Sequence, residues 1–205
     1  MAPPVIETVE TADQDRVAEV MVLAFARDPI TRWTFPTPQQ YVATFPDFVK
    51  TFGGRAFECG TAHAIEDFSG AALWLPPGTE PDEEALGRLL ERTVDARKLR
   101  VVFDVFQERS RFHPAEPHWY LPLIGVDPAK QGKGYGAALL GHALEQIDRA
   151  GALAYLDATT RASVPLYQRH GFELLGTIEV PPAPPLFPML RRPPRAAASA
   201  AAAAD

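Results

Sequence analysis

Six residues in the middle of the chain, Gln131-Gly-Lys-Gly-Tyr-Gly136, place glycine at every second position between an apolar run and an amphipathic stretch. Gly132, Gly134 and Gly136 let a backbone approach a ligand closely, and the first N–H groups of a following helix have no partner inside it. Amides so arranged, with the helix dipole behind them, hold an anion, and Lys133 adds a positive charge at the rim. Read as a bare turn, the same glycines hold nothing. Further on, Tyr167 offers a phenol, a proton donor at neutral pH because its ordinary pKa is about 10. Before the glycines stand Glu116, His118 and Tyr120. Strand alternation puts His118 and Tyr120 on one face and Trp119 on the other. Glu116 is the candidate base at the strand entry, and it reads equally as an exposed loop acid before Pro117.

These residues need a frame to bring them together. Residues 119–126 read as a strand, and Pro122 inside it removes a ladder donor, so a bulge or splayed pairing is expected there. A gap of that kind can receive a ligand whose own amides replace the missing pairing. After the glycines, Leu140, Leu144 and Ile147 line one side of a helix that Gly151 ends, with His142, Glu145, Asp148 and Arg149 opposite. Residues 153–158 predict a strand, 164–170 a short helix, 172–180 another strand, and 185–190 a final edge strand because of its prolines. In the N-terminal half, residues 5–9 predict the first strand. Thr11 and Gln14 have capping-box spacing before Val17, Val20, Met21 and Ala24, and this helix ends near Asp28-Pro29. Residues 30–52, carrying Pro36, Pro38 and Pro46, predict short helices and loops. Residues 56–65 and 71–75 predict two strands, and 81–109 two helices.

Alternating strands and helices over 118–180 argue for an α/β layer architecture. Residues 1–192 read as a single domain, and the alanine-rich 193–205 as a disordered tail. Gly132, Gly134 and Ala137, with Asp157 ending the next strand, fit a dinucleotide-binding fingerprint, although such a motif usually opens a chain. A P-loop is excluded because no Gly-Lys-Ser/Thr follows. The other spacing, Gln131-x-x-Gly134-x-Gly136 after Ile124-Gly125-Val126, resembles the GNAT acetyltransferases. Tyr167-Gln-Arg-His-Gly-Phe172 resembles the second signature of that family. The runs Glu116-Pro-His-Trp-Tyr-Leu121, Arg149-Ala-Gly151, Pro165-Leu-Tyr167 and Glu179-Val-Pro181 are most similar to the puromycin N-acetyltransferase group of actinobacterial enzymes.

The resemblance implies a GNAT fold of α/β (α+β) class. Its central sheet would be mixed, mostly antiparallel and splayed between the strands at 119–126 and 153–158, with helices on both faces. It implies acetyl-CoA as co-substrate and direct attack by an amine in a ternary complex. The backbone of Ile124, Gly125 and Val126 would pair with the pantetheine amides. Gln131, Gly132, Lys133, Gly134, Tyr135, Gly136 and Ala137 would hold the pyrophosphate. Ser163, where many relatives have Asn, would cap the short helix and contact the cofactor. Tyr167 would protonate or hydrogen-bond to the departing thiolate. The acceptor pocket is expected from Phe25, Asp28, Trp33 and Phe35, with His118 and Tyr120. An amine of a small molecule, an antibiotic or a metabolite, is the leading acceptor. A protein or peptide amine, or a non-catalytic acyl-CoA sensor, are the alternatives.

Composition narrows the setting. The formal charge of −6 disfavours a nucleic-acid backbone or an anionic membrane. No stretch approaches the ~18 apolar residues of a membrane span, and the N-terminus has no signal-peptide pattern, so a cytoplasmic protein is expected. Cys59, the sole cysteine, forms no intramolecular disulfide and reads as a buried structural thiol. His113 and His118 lack a third ligand, so no metal is expected. A homodimer is left open.

Overall fold

The computed structural model describes residues 4–194; most of the alanine-rich tail expected at 193–205 therefore lies outside the described residues. Among the described residues seven strands form one sheet: β1 (Ile6–Thr8), β2 (Ala62–Ile65), β3 (Gly70–Leu75), β4 (His118–Val126), β5 (Leu153–Ala158), β6 (Phe172–Leu174) and β7 (Phe187–Arg191). Their spatial order is β1-β2-β3-β4-β5-β7-β6, and only the β4–β5 pair is parallel. Alternation along β3 divides the core. Ala71, Leu73 and Leu75 pack on one face, Ala72 and Trp74 on the other. The first face carries α1 (Gln14–Phe25), α2 (Pro29–Thr34), α3 (Pro38–Gly53), α4 (Arg55–Glu58), α5 (Glu83–Thr93) and α6 (Ala96–Ser110). The second carries α7 (Tyr135–Arg149) and α8 (Val164–Arg169). No helix among the described residues is long and apolar enough to cross a membrane.

β4 governs the site. Its ladder with β5 runs from His118↔Leu153 to Leu121↔Leu156 and stops at Pro122, while β5 stays paired with β7 as far as Ala158↔Phe187. Against β3 the partners step from Leu75↔Tyr120 to Leu73↔Leu123, so β4 carries one extra residue. Pro122 and Leu123 consequently face the same cavity, whereas Trp119 and Leu121 pack beneath α7. A residue without an N–H sits where the ladder ends, and the bulge and splay expected from it are both present. Beyond the splay, Gly125 lies under α1: a Cβ there would come within 2.6 Å of the Ala24 Cβ and 2.9 Å of the Met21 Sδ.

Several local expectations are corrected. The capping box at Thr11 does not form; residues Thr11–Asp13 make a 3-10 turn, and α1 starts at Gln14 without a side-chain cap. Residues 38–53 are one continuous helix, not short pieces. Pro38 occupies the first turn, where no N–H is needed, and Thr37 caps it by accepting from Gln40 N at 3.2 Å. Pro46 costs about 3 kcal/mol inside a helix, which burial of Tyr41, Phe45, Val49 and Phe52 on one stripe offsets. The strand expected from residue 56 begins only at Ala62, because Arg55–Glu58 form α4, and Cys59 at its end is exposed rather than buried.

Past Leu174 the expected strand shrinks to one bridge, Ile178↔Leu186. β7 is interior, not an edge, despite Pro188. The Pro188 carbonyl accepts from Leu175 N at 2.9 Å, on the β6 side. In an antiparallel ladder the N and O of one residue point the same way, so the missing donor faces the point where β6 has just ended.

Candidate active site

The glycine loop lies between β4 and α7. Gly132 and Gly134 adopt φ of +76° and +84°, and nothing lies within 4 Å of a Cβ built on either. Glycine is needed there for the left-handed backbone, not to avoid a clash, and the space in front of the loop is open. The first bond of α7 is Ala138 N to Gly134 O, 2.9 Å. The amides of Tyr135, Gly136 and Ala137 precede it and have no acceptor in their own helix. Lys133 is exposed at the rim. The Gln131 side chain turns back to donate to the Val126 carbonyl at 3.1 Å, tying the loop to the end of β4.

Past the splay, α8 presents Tyr167, which is 8% exposed. Its ring packs edge-on against Phe172 with centroids 6.1 Å apart. The phenol oxygen has no partner among the described residues, yet it is not sealed from solvent. Burial, and then the charge of Asp28, push its pKa above the ordinary tyrosine value. Asp28 is buried on the opposite face, where it caps α2 by accepting from Thr31 N at 2.9 Å. Its other oxygen accepts from the Thr159 hydroxyl, just past the end of β5. Burial raises the Asp28 pKa, with those hydrogen bonds opposing it. The phenol and the carboxylate sense each other although they belong to opposite faces, which the β4–β5 splay permits.

On the Asp28 side lies a cavity of ≈ 100 Å³. Phe25, Trp33, Phe48 and Phe106 wall it, and Tyr120, Pro122, Asp157 and Thr159 form the side toward the sheet. One buried polar cluster serves it. The Arg109 guanidinium donates from Nε to Asp157 Oδ2 at 2.9 Å and from Nη2 to the Tyr120 hydroxyl; Nη2 also lies 2.9 Å from Asp157 Oδ2. The Tyr155 hydroxyl donates to Asp157 Oδ1 at 2.7 Å. The ring of His113 lies 4.2 Å from that of Tyr155, and burial, followed by the Arg109 charge, lowers its pKa to about 4.

A model of the acetyltransferase (GNAT) family matches residues 55–172. The chain belongs to that family. It is accordingly an acyltransferase, and its sheet is the mixed, mostly antiparallel GNAT sheet. An uncharacterized N-acetyltransferase of Schizosaccharomyces pombe is 27% identical over 184 residues, covering 80% of this chain and 72% of its own length. A mycothiol acetyltransferase of Streptomyces scabiei is 31% identical over 122 residues, 49% of this chain and 39% of that relative. Among solved structures, a histone acetyltransferase and related acetyltransferase from Corynebacterium glutamicum matches with TM-score 0.70 at 25% identity, over 96% of this chain and 99% of that one. An agmatine N-acetyltransferase matches with TM-score 0.63 at 16% identity, over 93% and 100%, a likeness of fold alone.

The matched GNAT segment contains the loop and Tyr167, while α1, α2 and α3, which cover the cavity, precede it. Of the acceptor residues expected from sequence, Phe25, Trp33, Phe35 and Tyr120 line the cavity. Asp28 stands behind Thr31 and Thr159, which do line it. His118 does not reach it; its ring sits 5.9 Å from that of Tyr155, and Nδ1 contacts the Glu116 carbonyl at 2.9 Å. Glu116 is exposed in the loop before β4, away from the cavity lining. Ser163 begins α8 but makes no side-chain cap, because its hydroxyl donates to the Thr160 carbonyl at 2.8 Å. Sequence reasoning missed Arg109 and took Asp157 only as part of a dinucleotide-binding fingerprint. Val102, Val105 and Arg109 fall on one buried stripe of α6, a spacing that put a charge on an apolar face and marked it.

Proposed function

We propose that this GNAT enzyme transfers an acetyl group from acetyl-CoA to the amine of a small molecule. One observation carries the reading: open loop amides, the Tyr167 phenol and an apolar cavity converge on the single place where β4 and β5 part. The loop fits a pyrophosphate, since its left-handed glycines leave free space and its amides lack acceptors. Bound there, acetyl-CoA would supply a thioester carbonyl as the electrophile. The amides from Gln131 to Ala137 would hold the anionic end, and the backbone of Ile124, Gly125 and Val126, which β5 no longer pairs, would flank the pantetheine.

Tyr167 acts as a hydrogen-bond donor rather than a proton source. An ordinary thiol has a pKa of about 8.5, so a phenol held above about 10 keeps its proton beside a thiolate. Its donated hydrogen bond still stabilises the charge that develops on sulfur. An attacking amine must be neutral, and Asp28, reached through the Thr159 hydroxyl at the opening, is the carboxylate free of an arginine partner that can take its proton. Desolvation raises its pKa toward that of a useful base.

The cavity favours a small acceptor. A volume of ≈ 100 Å³ is of the order of the ~150 Å³ cavity that holds a single benzene ring. That suits a compact apolar body and not a peptide segment. The relatives are named for different acceptors, so the choice rests on the cavity. A screen of small amines with acetyl-CoA, read by release of free thiol, tests the proposal. Turnover with several small apolar amines is expected. Turnover on peptide amines alone would overturn the acceptor class, and binding of a nicotinamide dinucleotide in place of acetyl-CoA would overturn the donor.

A further inference from the structure

Arg109 is spent on only one side. Its residue is 8% exposed, and Nε and Nη2 are engaged by Asp157 and Tyr120. Nη1 has no partner among the described residues, although it keeps accessible surface in a side chain that lines the cavity. A buried guanidinium nitrogen with unused N–H groups seeks an acceptor, because leaving it unpaired forfeits its desolvation cost. Asp157 meets the guanidinium only along its Nε–Nη2 edge, and its Oδ1 takes the Tyr155 hydroxyl.

We infer that Arg109 Nη1 reads a neutral hydrogen-bond-accepting oxygen, of the carbonyl or carboxamide kind, at the end of the acceptor opposite its amine. The inference rests on the acetyl-transfer reading for the position of the amine, beside Thr159 and Asp28. Thr159 follows Asp157 by two residues, just past the end of β5, so the Cα atoms of the residues that mark the two ends lie roughly 6–7 Å apart on one face. Phe25, Phe48 and Phe106 enclose the apolar stretch between them. A carboxylate is disfavoured at the Arg109 end. The Arg109 charge is already matched by Asp157, whose side chain is 6% exposed, and Asp28 is a second buried carboxylate, behind Thr159 at the other end. A third would leave the site short of positive charge. The arrangement deepens the substrate class from an apolar amine to one that carries an oxygen at fixed reach.

The test is a binding measurement. Pentylamines ending in methyl, carboxamide or carboxylate are titrated calorimetrically into protein saturated with coenzyme A. The carboxamide is expected to bind about tenfold tighter than either of the others, the scale of one hydrogen bond to a charged donor. Arg109→Lys keeps a cation beside Asp157 and removes Nη1. It should weaken the carboxamide about tenfold, leave the methyl amine within about twofold, and leave coenzyme A affinity unchanged as the sign of an intact fold. Equal affinity of the methyl and carboxamide amines for the wild-type protein overturns the inference, as does tightest binding of the carboxylate. The wild-type ranking decides even where the variant fails to fold. Binding in this order without acetyl transfer would refute the proposed activity and leave the recognition by Arg109 standing.

Discussion

Tyr167→Phe removes one oxygen and keeps the ring that packs edge-on against Phe172 and beside Val164. The phenol oxygen makes no hydrogen bond among the described residues, so no internal bond is lost and the stability change should stay below about 1 kcal/mol. The kinetic effect has a separate scale. A hydrogen bond to a charged group is worth about 1.5–3 kcal/mol, which at ~1.36 kcal/mol per decade slows the chemical step roughly 10- to 150-fold. Full proton transfer by a general acid would predict up to about 10⁴-fold. Rapid-quench single turnovers with acetyl-CoA and a good amine separate chemistry from product release, and thermal unfolding checks the fold. Because burial and Asp28 hold the phenol above its ordinary pKa, it stays protonated through the working range. The rate ratio between wild type and variant should therefore be flat from neutral pH to about pH 10. Wild-type single-turnover rates in a folded Tyr167→Phe protein would show that the hydroxyl does not assist departure. An alkaline limb present in wild type and absent in the variant would show that the phenol ionises and that its burial has been misjudged.

Asp28→Asn keeps an oxygen for Thr31 N and removes the charge, so the fold should survive while neutral-pH transfer falls about 10²-fold, with recovery at high pH where the amine deprotonates unaided; a pH–rate profile unchanged from wild type rules Asp28 out as the base. Gly134→Val puts a β-branched side chain at φ +84° into the open space before the loop. We expect at least a tenfold loss of acetyl-CoA affinity by calorimetry, and unchanged affinity in a folded variant removes the anion role. His63 is buried against Thr8 and His142, and burial, then the His142 charge, lower its pKa from 6.5 to about 4. Its neutral form is the folded one, so its contribution is complete above pH 6.5 and is lost as pH falls toward 4, by about 3 kcal/mol. His63→Leu should flatten that acid limb in urea titrations, leaving the similar limb of His113; an unchanged slope between pH 6.5 and 4 contradicts the assignment.

The parts of this protein that its sequence alone determined are those decided by a few neighbouring residues. Pro122 cannot donate to a ladder, so the splay of β4 was legible in one residue type. Gly132 and Gly134 announce a backbone that other residues resist, and the periods of 3.6 and 2 around them place a strand before and a helix after. Local rules also misled where burial outweighed them. Pro46 reads as a helix breaker, yet the stripe from Tyr41 to Phe52 carries α3 through it. Pro188 reads as an edge, yet its missing donor happens to face the end of β6. Only tertiary structure decided the chemistry across the sheet. Asp28 meets Thr159 over 131 residues, and Arg109 meets Asp157 over 48. Contacts of that kind have no period and no spacing, because they are set by which elements happen to pack together. Their cost is felt only when water is excluded, so a charge that looks like ordinary surface in the chain becomes, once buried, the residue that must find a partner.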